Sequence, residues 1–246
     1  MTMDPTWLPA DWSAPESVVA GTTLRYGGVS RGSFDSLNLG AYEDDADAVR
    51  ENRSRFRSLC DLPAEPCWLR QVHGNHVVID PAPGRLLEAD AAITRNSAVV
   101  CVVQTADCLP VIFASADGAE LAVAHAGWRG LARGVLEATV RAMSMDPTDL
   151  LAWLGPAISQ SAFEVGGEVR EEFLARDAAA ADCFAENERG RWQADLYGLA
   201  RMRLSRVGVE QVSGGEFCTF NEPERFFSYR RDGACGRMAS FVFRRT

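Results

Sequence analysis

The chain of 246 residues contains three histidines, which are its only imidazoles for metal binding or general-base catalysis: His73, His76 and His125. Seven cysteines supply thiols. Zinc binds nitrogen and sulfur ligands of this kind tetrahedrally, and a catalytic zinc keeps one of its four positions for water. A site of two imidazoles and one thiolate, with Cys108 as the thiolate, would therefore suit metal-assisted chemistry.

A predicted hairpin brings Cys108 and His125 together. Two apolar runs rich in β-branched residues flank Asp117-Gly118, a dipeptide typical of tight hairpin turns. Centring the turn there places His125 opposite Pro110 and puts Cys108 on the same face, as a diagonal neighbour about 7–8 Å away. A register slip of one residue would separate the two side chains. The spacing alone also fits a core thiol and a hydrogen-bonded histidine at a strand end.

The residues leave the identity of the second imidazole open. His73 and His76 stand on either side of a Gly-Asn turn, and in such a turn the two rings cannot easily point the same way. We expect one of them to bind the metal and the other to be structural. Spacing does not decide between the two.

Three motifs around these residues resemble a known family. They are Gln71-Val72-His73-Gly74, Thr105-Ala106-Asp107-Cys108-Leu109-Pro110-Val111 and Ala124-His125-Ala126-Gly127-Trp128-Arg129-Gly130. Together they are similar to the polyphenol oxidase/laccase-domain family, whose members are now described as purine nucleoside phosphorylases, and further matches cover nearly the whole chain. The resemblance implies one metal ion per chain, zinc in preference to copper, bound by His73, Cys108 and His125. His76 is then not a ligand.

The resemblance also implies an activity. Family members convert adenosine, inosine, guanosine or 5′-methylthioadenosine and phosphate into the free base and ribose 1-phosphate, and they deaminate adenosine. Three histidines are too few for the copper centres of a multicopper oxidase. A copper-dependent polyphenol oxidase with a single copper is still an alternative, because two imidazoles and a thiolate also suit that metal.

Other functions stay open on the same residues. Some relatives have a peptidoglycan-editing role, so a hydrolase of muropeptide precursors is an alternative. A cysteine hydrolase or deamidase would use Cys108 as the nucleophile and His125 as the base. A zinc-stabilised binding module is disfavoured, because structural zinc normally has four protein ligands.

Arginines are the expected phosphate-binding residues, since guanidinium groups pair bidentately with phosphate. Arg53, which matches an Asn-Arg pair of the family, is a candidate for both catalysis and substrate binding. Arg129 lies near the predicted start of a helix, where free backbone N–H groups attract anions. Arg230 is the third candidate, with Arg231 and Arg237 near it. The alternative for each arginine is a solvated surface charge or a structural ion pair.

Asn38, Asp107 and Trp128 complete the set of candidates. We expect Asn38 to hydrogen-bond ribose or base, or else to form a turn. Asp107 adjoins the ligand cysteine, and in a regular strand its side chain would face away from the metal. It is then either a partner of a metal-binding histidine or a cap at the strand start. Trp128 forms either a cavity wall or part of the core.

Composition limits the partners of the protein. The net charge of −9 disfavours nucleic-acid binding, which needs a basic surface. The chain has no lysine, which excludes Schiff-base chemistry and a P-loop. No stretch is apolar enough to span a membrane, and the N-terminus does not resemble a signal peptide. We expect a cytoplasmic, monomeric enzyme for small-molecule substrates, with residues 1–246 forming a single domain of this family.

The pattern of elements predicts an α+β fold, a layered α/β sandwich around mixed, largely antiparallel sheets. The family resemblance implies a toxin-deamidase-like fold. Strand patterns lie at 18–24, 67–72, 77–80, 98–104, 109–115, 120–125, 150–154, 210–212, 226–230 and 239–244. Helical patterns lie at 44–60, 131–143, 167–176 and 194–207.

Overall fold

Short strands outnumber helices along the described chain. The computed structural model describes residues 7–41 and 43–245. The strands are β1 Trp7–Pro9, β2 Val18–Thr23, β3 Leu69–Arg70, β4 Val77–Ile79, β5 Leu87–Glu88, β6 Ala91–Thr94, β7 Cys101–Thr105, β8 Leu109–Ser115, β9 Leu121–Ala126, β10 Leu150–Leu154, β11 Glu164–Val165, β12 Phe184–Glu186, β13 Trp192–Ala194, β14 Gln211–Gly214 and β15 Met238–Arg244. The helices are α1 Ala46–Leu59, α2 Trp128–Arg133, α3 Val135–Ala142, α4 Gly167–Leu174, α5 Leu196–Arg206 and α6 Tyr229–Asp232. Short 3-10 helices lie at Gly32–Phe34, Pro147–Asp149, Gln160–Ala162 and Ala178–Cys183.

The strands form two larger and two smaller sheets. The six-stranded sheet has the order β14-β10-β8-β9-β6-β4, and the four-stranded sheet has the order β1-β2-β15-β7. The smaller sheets are β11-β13-β12 and β3-β5. Eight strand pairings are antiparallel and three are parallel in the described residues. The predicted α+β class with mixed, largely antiparallel sheets is confirmed.

The two larger sheets pack face to face between layers of helix. On β8, Leu109, Val111 and Phe113 belong to one apolar cluster, which also contains residues of α3 and α5. Ile112 and Ala114, which alternate with them, pack with residues of β7 and β15 in the four-stranded sheet. A third cluster joins the other face of that sheet to α1. The layers therefore run helix, sheet, sheet, helix, and β8 lies in the middle.

The first helix lies within the predicted range of 44–60. The Asp45 carboxylate accepts hydrogen bonds from the backbone N–H groups of Asp47 and Ala48, which have no partner inside the helix. Val49 and Phe56 are buried on the side that faces the sheet. The helix ends at Leu59, one residue before the predicted end at Cys60.

The prediction of a single helix at 131–143 is wrong. The segment forms two helices, α2 and α3, which meet at Gly134. The φ of Gly134 is +86°, a left-handed conformation that ends α2, and its N–H donates to the carbonyl groups of Gly130 and Leu131. The apolar pattern continues across the break because both helices bury residues in the same cluster.

The strand predicted at 226–230 is also wrong. Phe226 and Phe227 are fully buried in an apolar cluster, but they lie outside the named strands. Ser228 caps α6, its side chain accepting a hydrogen bond from the N–H of Arg231. Burial of the two aromatic rings therefore produced an apolar run that resembles a strand.

The described part of the chain has no helix that is both long and apolar enough to cross a membrane.

Candidate metal centre

The hairpin of β8 and β9 places Cys108 and His125 close together, in the predicted register. Pro110 pairs with His125, and Leu109 pairs with Ala126, across the two antiparallel strands. Cys108 immediately precedes β8, and His125 is the next-to-last residue of β9. The predicted register is confirmed, and with it the diagonal relation between the two side chains.

His73 joins them, so that three donor atoms converge. The ligand atoms of His73, Cys108 and His125 all lie within 4.8 Å of one another. The Sγ of Cys108 is 3.8 Å from the Nε2 of His73, and the two imidazole rings meet edge to face with their centroids 4.8 Å apart. The ring of His76 is engaged elsewhere, with its Nδ1 2.8 Å from the carbonyl oxygen of Glu88. Of the two histidines left open by spacing, His73 is the one that reaches the cluster.

The turn that carries His73 is tied to the end of β7. The side-chain amide of Gln71 donates to the carbonyl oxygen of Gln104 over 2.8 Å and accepts from the N–H of the same residue over 2.7 Å. The backbone at His73 then turns into the left-handed region, with a φ of +57°. This double hydrogen bond fixes the turn close to Cys108, which follows β7 by three residues.

Asp90, which the sequence analysis missed, contacts both histidines of the cluster. It lies between β5 and β6 and is fully buried. Its Oδ1 is 2.8 Å from the Nδ1 of His125, and its carboxylate accepts hydrogen bonds from the backbone N–H groups of Val72, His73 and Gly74. In the sequence, Asp90 is recognisable only as a carboxylate directly before the apolar run of β6. That position does not indicate that it contacts a histidine.

Gly127 leaves the space that the sulfur occupies. A Cβ added to Gly127 would stand 2.9 Å from the Sγ of Cys108 and 3.0 Å from the Cδ2 of His73. Real Cβ atoms do not approach other heavy atoms so closely without a shift of their neighbours. A side chain at Gly127 would therefore displace Cys108 or His73 from its present position in the cluster.

The groups of the cluster change one another's proton affinity. Burial alone would raise the pKa of the Cys108 thiol, but His125 and His73 outweigh it and lower that pKa. Burial opposes a charged His125, yet the Cys108 thiolate and the Asp90 carboxylate raise its pKa. Burial also opposes ionisation of Asp90, and the hydrogen bonds from His125 and the backbone keep its pKa low. The two histidines therefore favour the thiolate of Cys108, the form that binds metals.

The donor set fits a transition-metal ion. Two imidazole nitrogens and one thiolate sulfur are ligands that zinc and copper accept. His73 and Cys108 are half-buried and face a cavity, whereas His125 is buried. Three protein donors leave a position for water or substrate, as in catalytic sites. Within residues 7–41 and 43–245, no second cluster of His, Cys, Asp and Glu is arranged to hold a metal.

The cluster lies in the wall of a cavity of about 530 Å³. This volume falls in the range of about 300–1,000 Å³ that is usual for small-molecule sites. Aromatic and cationic side chains line the cavity beside the cluster: Trp128, Phe163 and Tyr229, and Arg129, Arg230 and Arg237. The arrangement places a metal site next to flat apolar surfaces and positive charge.

Of the four residues predicted to bind substrate, Arg129, Arg230 and Asn38 line the cavity. Arg53 is not among the lining residues. The guanidinium of Arg53 donates twice to the carbonyl oxygen of Leu39 and stacks 3.9 Å above the ring of Trp68. Burial lowers the pKa of Arg53. Its visible contacts hold the loop that follows Asn38.

The amide of Asn38 is already used by the protein. Its oxygen accepts from the N–H groups of Gly40 and Arg237, and its nitrogen donates to Gly40 and to the Asp44 carboxylate. This is the turn-forming alternative of the sequence analysis. Asn38 therefore shapes the cavity wall through its own hydrogen bonds.

The three arginines that line the cavity differ in how many hydrogen bonds their guanidinium groups donate to the protein. The Arg230 guanidinium donates to the carbonyl oxygen of Glu164, and that of Arg237 donates to the carbonyl oxygens of Cys235 and Gly236. Arg129 stacks 4.3 Å above the ring of Trp128, and its guanidinium has no hydrogen-bond acceptor or ion-pair partner in the described residues. Of the three, Arg129 is the one whose guanidinium donors are all unused by the described residues.

Asp107 is not bonded to a histidine. Its φ is +85°, and its carboxylate accepts from the hydroxyl of Thr219 over 2.6 Å and from the N–H of Arg230 over 2.7 Å. It therefore ties the segment before Cys108 to the start of α6. Asp90 occupies the place beside a ligand histidine that was considered for Asp107.

The chain belongs to the family described as "Multi-copper polyphenol oxidoreductase laccase", whose sequence model matches residues 19–245. This confirms the resemblance that the three motifs predicted. The protein named purine nucleoside phosphorylase YfiH of Escherichia coli is 52% identical over 234 residues, 94% of this chain and 96% of the relative. A purine nucleoside phosphorylase of Pseudomonas aeruginosa is 52% identical over 239 residues, 96% and 98% of the two chains.

Solved structures show the same fold. A Neisseria meningitidis protein superposes with a TM-score of 0.94 at 47% identity, covering 98% of this chain and 100% of its own. YlmD of Geobacillus stearothermophilus superposes with a TM-score of 0.91 at 28% identity, covering 100% and 98%. The layered arrangement described above is therefore the arrangement of this family.

Proposed function

We propose that the protein is a zinc-dependent purine nucleoside phosphorylase that also deaminates adenosine. The observation that carries the proposal is the cluster of His73, Cys108 and His125 in the wall of a cavity of about 530 Å³, which is also lined by Arg129, an arginine that has no acceptor within residues 7–41 and 43–245. The names of the relatives that are 52% identical support the phosphorylase activity. The substrates are adenosine, inosine, guanosine and 5′-methylthioadenosine, each with phosphate.

Zinc is the metal that we assign to the centre. Its preference for nitrogen and sulfur ligands matches the three donors, and it keeps an open position when three protein ligands bind it. A bound zinc ion supplies Lewis-acid chemistry and lowers the pKa of water, and the second effect is what deamination requires. Three histidines in the whole sequence cannot provide the ligands of several copper ions, despite the name of the family.

Arg129 is our choice for the residue that binds phosphate. Its guanidinium has no acceptor in the described residues and stacks on Trp128, which also lines the cavity. A guanidinium presents paired N–H groups that match two oxygens of a phosphate. Arg230 also lines the cavity and adds positive charge through a guanidinium that already donates to the carbonyl oxygen of Glu164.

The remaining residues shape the nucleoside site. Tyr229 is 59% exposed and lines the cavity, so its ring offers a face for a purine base. Asn38 holds the opposite loop through Gly40 and Arg237. Arg53 acts indirectly, because it donates a hydrogen bond to the carbonyl oxygen of Leu39, the residue after Asn38. In phosphorolysis, these residues would hold phosphate and ribose in position and exclude water from the sugar carbon.

We further propose that residues 1–246 work as one domain, as a monomer in the cytoplasm. Small molecules are then the only partners that the activity requires. The net charge of −9 supports this, because it disfavours nucleic acid as a partner.

Incubation of the zinc-loaded protein with adenosine or inosine, with and without phosphate, tests the function. Phosphate-dependent release of free base is expected, together with phosphate-independent formation of inosine from adenosine. Tyr229→Ala should raise the KM for the nucleoside more than it lowers kcat. Cleavage of a muropeptide precursor, or oxidation of a phenol by the copper-loaded protein, without turnover of any nucleoside would replace the proposal by the corresponding alternative. Activity of the metal-free protein with Cys108 intact would favour the cysteine hydrolase.

A further inference from the structure

Asp90 is fully buried and contacts the ring of His125 and the backbone N–H of His73, the two histidines of the proposed metal centre. We infer that Asp90 is a positioning residue: its one carboxylate sets the orientation of the His125 ring and the backbone turn of His73, and thereby the affinity of the centre for a metal ion. The inference rests on the metal-binding function proposed above and adds the residue that organises it.

His125 is held by Asp90 at two points. The ring Nδ1 lies 2.8 Å from the Oδ1 of Asp90, and the backbone N–H of His125 donates to the carbonyl oxygen of Asp90 over 2.7 Å. An ionised carboxylate only accepts hydrogen bonds, so Nδ1 carries the proton. In the neutral ring that binds a metal, the lone pair then lies on Nε2, and the hydrogen bond fixes the orientation of the ring.

His73 is held through its backbone instead of its ring. Three successive N–H groups converge on the carboxylate, from Val72 to Oδ2 over 3.2 Å, from His73 to Oδ1 over 3.0 Å and from Gly74 to Oδ2 over 2.7 Å. Successive N–H groups that point to one anion form a nest, and here the anion is the protein's own carboxylate. The nest stabilises the left-handed conformation of His73, which non-glycine residues seldom adopt.

The carboxylate of Asp90 has no unused acceptor positions. Its two oxygens take four hydrogen bonds, which matches the roughly four lone-pair sites of an ionised carboxylate. An asparagine of the same shape offers one oxygen and one NH₂ donor. That NH₂ would face either the Nδ1–H of His125 or the N–H groups of the turn, which are all donors. Without a change in volume, the amide therefore loses either the bonds from His125 and His73 on one side or the bonds from Val72 and Gly74 that hold the turn of His73 on the other.

The variant Asp90→Asn tests the role by its affinity for Zn²⁺, measured by competition with a chromophoric chelator on folded protein. We expect an affinity about 10–100-fold below that of the wild type, as for other residues that orient metal-binding histidines. Asp177→Asn is the matched control, since Asp177 is also buried and pairs with Arg206 away from the cavity. It should be less stable than the wild type and bind Zn²⁺ as tightly.

A nitrogen-15 spectrum of the histidine rings gives a second readout that does not depend on activity. The chain has three histidines, so their signals can be separated. The zinc-loaded wild type should show His125 protonated on Nδ1 and bound through Nε2, and in Asp90→Asn the Nδ1 proton should exchange faster with water. If Asp90→Asn does not fold, a zinc-loaded wild-type protein whose His125 is protonated on Nε2 and binds the metal through Nδ1 would overturn the inference by itself.

The two proposals fail in different ways. A folded Asp90→Asn protein with wild-type affinity for Zn²⁺ and an unchanged ring spectrum would overturn the role of Asp90 and leave the metal centre intact. A wild-type protein that binds no Zn²⁺ would overturn the metal centre and the role of Asp90 together.

Discussion

Gly127 lies so close to Cys108 that an added Cβ would stand 2.9 Å from the cysteine sulfur. The same Cβ would lie 3.0 Å from the ring of His73, so it would meet two of the three donors at once. The backbone after β9 cannot retreat easily, because α2 begins at the next residue, Trp128. Replacing a hydrogen atom of Gly127 by a methyl group should therefore disturb the arrangement of Cys108 and His73.

The first prediction is that Gly127→Ala lowers the affinity for Zn²⁺ without unfolding the protein. The methyl group displaces Cys108 or His73 by a few tenths of an ångström or more, which disturbs the tetrahedral set and should lower the affinity about tenfold or more. Zinc titration of folded protein measures the effect. Gly167→Ala is the control, because a Cβ on Gly167 meets no atom within 4 Å. Equal affinity in both variants would show that the donors do not depend on this contact.

The second prediction concerns phosphate. Arg129→Ala should raise the KM for phosphate about 10–100-fold, since a charge-assisted hydrogen bond contributes roughly 1.5–3 kcal/mol. Deamination of adenosine, which uses no phosphate, should change much less. Steady-state kinetics at varied phosphate measure the first effect, and inosine formation without phosphate measures the second. Arg50→Ala, which removes an exposed arginine paired with Asp47, is the control. A parallel loss of both activities in Arg129→Ala would argue against a phosphate site there.

The third prediction is that iodoacetamide labels Cys108 before any other cysteine in the metal-free protein at neutral pH. The pKa of Cys108 is lowered, so its thiolate is present, whereas burial raises the pKa of Cys60 to about 12 and that of Cys183 to about 11. Because the pKa of Cys108 is depressed in the folded protein, its thiolate persists as the pH falls. It is lost only when the pH drops below that pKa. Peptide mass spectrometry measures the order of labelling.

Addition of Zn²⁺ should protect Cys108 from the same reagent, because a metal-bound sulfur cannot attack it. Cys183, the other half-exposed cysteine, is the internal reference. Labelling of Cys108 at the same rate with and without Zn²⁺ would remove it from the proposed ligand set.

The fourth prediction concerns stability. Gly134→Ala should lower the free energy of unfolding by about 1–2 kcal/mol, because an alanine at a φ of +86° adopts a left-handed conformation that costs this amount. No steric clash adds to the cost, since the nearest atom to the new Cβ would be 3.4 Å away on Glu137. Urea denaturation measures the change. A more stable variant would mean that α2 and α3 prefer to continue as one helix.

The register of the β8–β9 hairpin could be predicted because its information is local. The Asp117-Gly118 turn fixes the pairing of Pro110 with His125, and from this pairing the position of Cys108 follows. The approach of His73 could not be derived from spacing, because it depends on hydrogen bonds of Gln71 to a strand more than thirty residues away. The family resemblance supplied that contact, and the geometry shows how it is made.

Other features escaped prediction for different physical reasons. Asp90 is joined to His125 by tertiary contacts alone, so nothing in its own neighbourhood identifies it. The break at Gly134 occurs inside an apolar pattern that fits one helix as well as two. The residues Phe226 and Phe227 are apolar because they are buried, and burial alone does not distinguish a strand from a loop.

The metal content of four purified variants tests the central claim most directly. His73→Ala, Cys108→Ala and His125→Ala each remove one donor, and His76→Ala removes an imidazole from the same turn that contacts Glu88 instead of the cluster. Atomic emission spectroscopy after zinc loading and gel filtration should find one zinc per chain in the wild type and in His76→Ala, and well below one in the other three variants, which should also lose turnover of nucleosides. Full zinc occupancy in the three donor variants, or its loss in His76→Ala alone, would contradict a centre formed by His73, Cys108 and His125.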